Sequence, residues 1–143
     1  MANRYSQPNK VERDHLRAVV ARLSDAQLAL PAGAHGWTVG GLLAHVAFWD
    51  RRAVVLMERW KKGSLGSPPG DVDVVNDTIR PFLVALPPRR AAELALETAE
   101  AIDNEIDSLS VDMLERVEAN GQPRLDRASH RADHLEQIEK AIR

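Results

Sequence analysis

The chain has 143 residues, 44% of them apolar, and a net charge of −2 with histidine neutral. That length supports one domain, 1–143, with a real core, and the charge balance leaves no basic footprint for nucleic acid or anionic lipid. No run approaches 18 apolar residues, MANRYSQPNK has no signal-peptide core, and there is no cysteine; the expectation is a cytoplasmic protein without membrane spans or disulfides, unable to supply its own thiol.

The first helix is expected from about Asn9 to Ser24, with Val11, Leu16, Val19, Val20 and Leu23 on its apolar side. Ser24, Asp25, Pro31 and Gly33 then break the pattern. The second helix is the best specified. Thr38 is a good N-cap because its hydroxyl accepts from a free N–H of the first turn, and Trp37 with Leu42 fits a hydrophobic staple. Val39, Leu42, Val46, Trp49, Ala53, Leu56 and Trp60 follow at alternating spacings of three and four, a bundle seam that ends near Gly63. This places Trp49 and Trp60 in the core.

After the loop GSLGSPPGD, residues 72–86 read as helical with a kink or break at Pro81, which removes a backbone donor and crowds the preceding turn. Pro87 and Pro88 start a further helix, with Ala91, Leu94, Ala95, Thr98, Ile102, Ile106 and Leu109 as its stripe. Its carboxylates Asp103, Glu105 and Asp107 read as an exposed face. Ser110 to Val117 reads as a short extra helix and Asn120, Gly121 and Pro123 as a turn. The last helix runs from about Leu125 to the terminus, with Leu125, Ala128, Ala132, Leu135, Ile138 and Ile142 on one face. No segment alternates with period two, and four principal helices with seam spacing indicate an all-α four-helix bundle. The glycines at 33, 36, 40 and 41 match no phosphate loop, since no lysine follows and no strand precedes.

Bundles carry metal and ligand sites between facing helices, which draws attention to HRADH in the last helix. His130 and His134 are four apart, so their Cβ atoms lie about 6 Å from each other and both imidazoles can reach one cation. The same spacing serves a solvent-exposed pair. Arg131, not glutamate, follows His130, and the metalloprotease pattern H-E-x-x-H is absent. Of the other histidines, His15 lies in the charged stretch ERDHLR and His35 in a glycine-flanked loop, both expected at the surface. His45 sits inside LLAHVAFW and should be largely buried, either as a hydrogen-bonded core residue or as a third ligand.

The stretch GWTVGGLLAHVAFWD, followed much later by HRADHLEQI, resembles the DinB-like superfamily, which includes the N-terminal domain of mycothiol-dependent maleylpyruvate isomerase. The shared features are Trp37, Thr38 and His45 opening the second helix, then His130 and His134 in the last. The resemblance spans essentially the whole chain. It implies up-down-down-up connectivity, one divalent metal (zinc or nickel) on His45, His130 and His134 with open positions, and a homodimer. It also implies use of a low-molecular-weight thiol such as mycothiol, bacillithiol or glutathione in S-transfer or isomerisation. The chain stops at Arg143 without the C-terminal domain of that isomerase, so maleylpyruvate isomerisation itself is not expected.

On that resemblance, three neutral imidazoles on zinc leave positions free for water, giving hydroxide for hydrolysis, or for a small-molecule thiol held as thiolate against an electrophile. Arg124, Arg127 and Arg131 lie on or just before the histidine helix and are expected either to hold carboxylates of such a thiol or its substrate, with Arg127 and Arg131 as the cofactor-binding pair, or to form a solvated basic face. Asp50, Asn76 and Asp133 are candidates to orient an imidazole N–H. The competing reading is a metal- or ligand-binding dimeric bundle without catalysis.

Overall fold

The structure, a computed structural model, describes residues 2–143. Among them are seven helices and no strand, with one isolated bridge between Pro31 and Thr38. The helices are α1 (Ser6–Arg22), α2 (Asp25–Leu28), α3 (Val39–Lys61), α4 (Val72–Val84), α5 (Pro88–Asp107), α6 (Val111–Asn120) and α7 (Ala128–Ala141). None is long and apolar enough to cross a membrane.

The four long elements expected from the seam spacing are α1, α3, α5 and α7. Helix α3 packs on α5, α7 and α4, while α1 packs on α5 and α7. Of the expected α3 seam, Val39, Leu42, Val46, Ala53, Leu56 and Trp60 are buried. Close approach of α3 and α5 depends on Gly40: a Cβ there would stand 2.9 Å from Pro88 Cβ and 3.2 Å from Pro88 Cα. Pro88 itself opens α5, where its missing N–H costs nothing.

The apolar interior falls into two clusters. One joins Leu16, Val19, Leu28, Leu42, Leu135 and Ile138; the other joins Val54, Met57, Trp60, Ile102, Ile106 and Val117. On α3 the first ends at Ala47 and the second begins at Ala53, and Asp50 lies between them, 1% exposed. Asp103 and Arg131 occupy the same level on α5 and α7, also buried.

Several local expectations are corrected. Helix α1 starts at Ser6, which puts Asn9 inside it and buried, and Val11 is 51% exposed. Ser24 does not merely end a helix: it caps α2 through a reciprocal pair with Gln27 and so seats Leu28 in the core. Helix α4 continues through Pro81 to Val84 without a break. The carbonyl four residues back, on exposed Asp77, loses its donor, but α4 buries none of its residues and water reaches that carbonyl. Helix α6 extends to Asn120 and closes on Gly121, whose φ of 85° is the left-handed conformation a helix C-terminus favours. Helix α7 begins at Ala128 rather than Leu125.

Candidate metal centre

Thr38 Oγ1 accepts from Gly41 N at 3.0 Å and sets the start of α3. Two turns on, His45 is 5% exposed and its ring meets the edge of Trp37, with centroids 5.2 Å apart. From α7, His130 and His134 reach the same point. The Nε2 atoms of His130 and His45 are 3.2 Å apart, and those of His134 and His130 are 3.1 Å apart. One nitrogen from each of the three rings can be chosen so that all lie within 4.8 Å of one another. Three imidazoles on one ion at Zn–N distances of about 2.05 Å would have nitrogens about 3.3 Å apart.

The protonation pattern fits the same purpose. His134 Nδ1 lies 2.7 Å from Gln137 Oε1. A carbonyl oxygen only accepts, so Nδ1 carries the hydrogen and Nε2 presents its lone pair to the cluster. Burial, then the neighbouring His134, pushes the His45 pKa down to about 4. Burial first, then His134, His45, Arg127 and Arg131, pushes His130 down to about 2. His134 is lowered by burial, against the opposing effects of Gln137 and Asp133. All three rings are therefore neutral at pH 7, the form that ligates. Neutral rings with their Nε2 lone pairs converging repel one another, and a cation at the common point removes that repulsion. The residues fit a divalent metal.

Immediately behind the histidines is the buried polar level. Arg131 is fully buried and donates to Asp103 twice at 2.9 Å, to Asp50 Oδ2 at 3.3 Å and 3.4 Å, and to the carbonyls of Asn9 and Ala99. This corrects the expectation that Arg131 faces a ligand, and the expectation that Asp103 is exposed: each is the other's partner. Glu105 pairs with Lys61 at 2.6 Å and, with Asp107, is only half-buried. Arg13 adds a further contact to Asp103 at 2.5 Å, and Arg127 donates to Asp50 Oδ1 at 2.9 Å. Asp50 thus acts on the two arginines and makes no hydrogen bond to an imidazole. Asn9 completes the layer. Its Oδ1 accepts from the N–H groups of Arg127 and Ala128 at 2.9 Å and 3.0 Å, while its Nδ2 donates to Leu125 O at 2.9 Å. A side chain of α1 therefore caps α7, whose own N-cap residue provides no side-chain bond.

With this geometry in view, comparison with protein families matches residues 10–136 to the mycothiol maleylpyruvate isomerase N-terminal domain. The chain belongs to this DinB-like family. Neither the curated proteins nor the solved structures contain a match.

In this mycothiol maleylpyruvate isomerase N-terminal-type domain, the histidines lie on a cleft of about 1000 Å³. Its lining includes Trp37, Trp49, Arg52, Asn76, Arg124 and Arg127. Trp49 is therefore not a core residue: it is half-buried in the cleft wall, and its Nε1 donates to Asn76 Oδ1 at 2.9 Å. Among the described residues neither Asn76 nor exposed Asp133 makes a hydrogen bond to an imidazole. Trp60 is 4% exposed, in the core as expected. Gln137, one turn beyond His134, is the orienting residue that sequence reasoning missed; the i, i+3 spacing was the available signal. His15 lies apart from the cluster, between Glu12 and Glu139. His35 is exposed on the cleft's edge with φ 61°.

Proposed function

We propose that the domain binds one divalent metal, zinc or nickel, through Nε2 of His45, His130 and His134, and serves as a thiol-dependent S-transferase. The observation that carries this reading is the convergence of three neutral imidazoles, one buried on α3 and two half-buried on α7, on a single point at the wall of an open cleft. A three-histidine ion leaves coordination positions free and stabilises a bound sulfur as thiolate. The chain has no cysteine, so the thiol comes from solution as mycothiol, bacillithiol, glutathione or a relative.

The protein's own groups prepare that chemistry. Gln137 fixes the His134 tautomer, and Trp37 covers one edge of His45. Arg127, held by Asp50, presents part of its guanidinium to the cleft, where it attracts an anionic sulfur ligand or acidic substrate. The cleft, about 1000 Å³, has room for a thiol and an organic electrophile together. Contacts of α1 with α5 and α7, and of α3 with α5 and α7, support up-down-down-up connectivity of a four-helix bundle. Helix α4, without a buried residue and with Phe82 73% exposed, supports a homodimer.

The test is elemental analysis of purified protein and of His45→Ala, followed by consumption of glutathione with chlorodinitrobenzene. Near-stoichiometric metal, lost in His45→Ala together with thiol consumption, is expected. Metal-free wild type after growth in zinc-replete medium would sink the site. Metal without turnover across several thiols would leave a binding module, and metal-dependent ester cleavage without thiol would make it a hydrolase.

A further inference from the structure

His45, Trp49 and Arg52 stand at i, i+4 and i+7 on α3, and all three line the cleft. One helical face therefore carries a ligand imidazole, an aromatic platform and a cation, with a rise of about 10 Å from first to last. The Arg52 guanidinium lies 5.9 Å from the Trp49 ring centre. Behind it, Ser67 O accepts from Nη2 at 2.5 Å and Gln122 Oε1 from Nη1 at 3.1 Å. Both acceptors are neutral, so they orient the group and leave its charge uncompensated. The acceptors are themselves placed. Asn120 Nδ2 donates to Gly66 O at 2.8 Å, and a Cβ at Gly66 would come within 2.6 Å of Gln122 O, so the two loops beneath Arg52 are in close contact.

Neither carboxylate of the cleft forms an ion pair with Arg52 among the described residues. The two are Glu118 and Asp126. Glu118 accepts from Tyr5 Oη at 2.7 Å and pairs with Arg4, and Asp126 accepts from Ser129 N and Oγ at 3.1 Å and 2.6 Å. Arg124, also on the wall, has no carboxylate within 4 Å among the described residues, and neither does Arg52. Arg127 shares Asp50 with Arg131. Burial, and then the charge of Arg127, shifts the Arg52 pKa downward, which agrees with a cation partly withdrawn from water and facing another.

We infer that Arg52, on its Trp49 platform and assisted by Arg124, is an anion subsite that selects a carboxylate-bearing ligand whose reacting atom reaches the histidine cluster about 10 Å away. The inference names the ligand class for the cleft proposed above and rests on that reading only for the identity of the reacting end. An oriented guanidinium without a counter-ion binds a carboxylate with charge-assisted hydrogen bonds and discriminates against the neutral ester, which cannot replace the charge.

Two acids probe the two sources of such a carboxylate. S-methylglutathione represents the thiol with its sulfur blocked, and 4-chloro-3-nitrobenzoate represents an acidic electrophile. Each is titrated calorimetrically beside its methyl ester into wild type, Arg52→Gln, Arg52→Lys and Arg124→Gln. The acid that occupies the subsite should bind wild type and lose about tenfold or more in Arg52→Gln. It should lose less in Arg52→Lys and in Arg124→Gln, and its ester should bind all four proteins equally weakly. Dependence for only one acid assigns the subsite to that reactant. Equal binding of both acids to wild type and Arg52→Gln, equal binding of acid and ester, or no binding of either acid to wild type overturns the inference. Unfolded Arg52→Gln would shift the decision to the Arg52→Lys and Arg124→Gln titrations. Metal analysis of the wild type used in these titrations separates the two claims: Arg52-dependent binding in wild-type protein that takes up no metal removes the metal reading and keeps the subsite, whereas metal-loaded wild type without Arg52-dependent binding removes the subsite alone.

Discussion

His130 and Arg131 are consecutive residues of α7 in opposite chemical situations. Arg131 is fully buried with its donors directed at two carboxylates and two carbonyls. His130 is packed against two other imidazoles, and its Nδ1 is buried without a hydrogen-bond partner, as is that of His45. The first cluster is closed and self-sufficient. The second is incomplete within the chain, with lone pairs aimed at a common point and N–H groups left over. A saturated network fixes geometry, whereas an unsaturated one keeps bonding capacity for something outside the chain. Asp50 connects them, since its bonds to Arg127 and Arg131 pin α3 to α7 one turn or so from the three rings.

The sharpest way to break the comparison is Arg131→Met. Buried Asp103 would lose two bonds of 2.9 Å and buried Asp50 its second arginine, and a cost of about 3–5 kcal/mol in urea unfolding is expected. The double variant Arg131→Met with Asp103→Leu should recover much of the loss. A small effect of the single change would mean that water or movement already relieves these acids. Next comes Asn9→Ala, which strands two N–H groups and one carbonyl at the start of α7. About 1–3 kcal/mol should be lost, read as a lower denaturation midpoint, and metal uptake should weaken with it because His130 lies two residues beyond the cap.

The effect of pH is spread over several units and is the most gradual. In metal-free protein, His45 and His130 hold pKa values of about 4 and about 2, below the unfolded value of about 6.5. Between those limits the unfolded chain binds more protons than the folded one, so stability contributed by the neutral rings is complete above about pH 6.5 and declines as pH falls toward 4. The slope is at most about 1.4 kcal/mol per pH unit for each proton. Thermal melts of wild type and His45→Ala from pH 8 to 4.5 should converge at the acid end. Parallel curves would count against the burial of that ring.

What was legible in the sequence followed from local rules. The α3 seam, the Thr38 cap, the proline start of α5 and the i, i+4 pair on α7 each depend on residues within a few positions of each other, and each stands in the structure. The approach of His45 required the resemblance in addition, because 85 residues separate it from His130. The polar level was not legible. Asp103 looked like one more acid on a charged face, and Arg131 like one more base, since a lone charge is normally solvated and its partner lay 28 residues away. Trp49 kept perfect seam spacing and yet turned out on the cleft wall, because periodicity identifies an apolar face without saying whether another helix or an open volume lies opposite.

The cap that Asn9 places on α7 reaches across 118 residues. On a ribosome, the first helix has therefore been made long before the segment it must anchor emerges, and the loop to be closed is nearly the length of the domain. The histidine-bearing end of α7 should be among the final parts to lock. A nascent chain halted before residue 127 would then carry only His45 of the three rings, and would acquire its grip on a metal abruptly, upon release of the last helix.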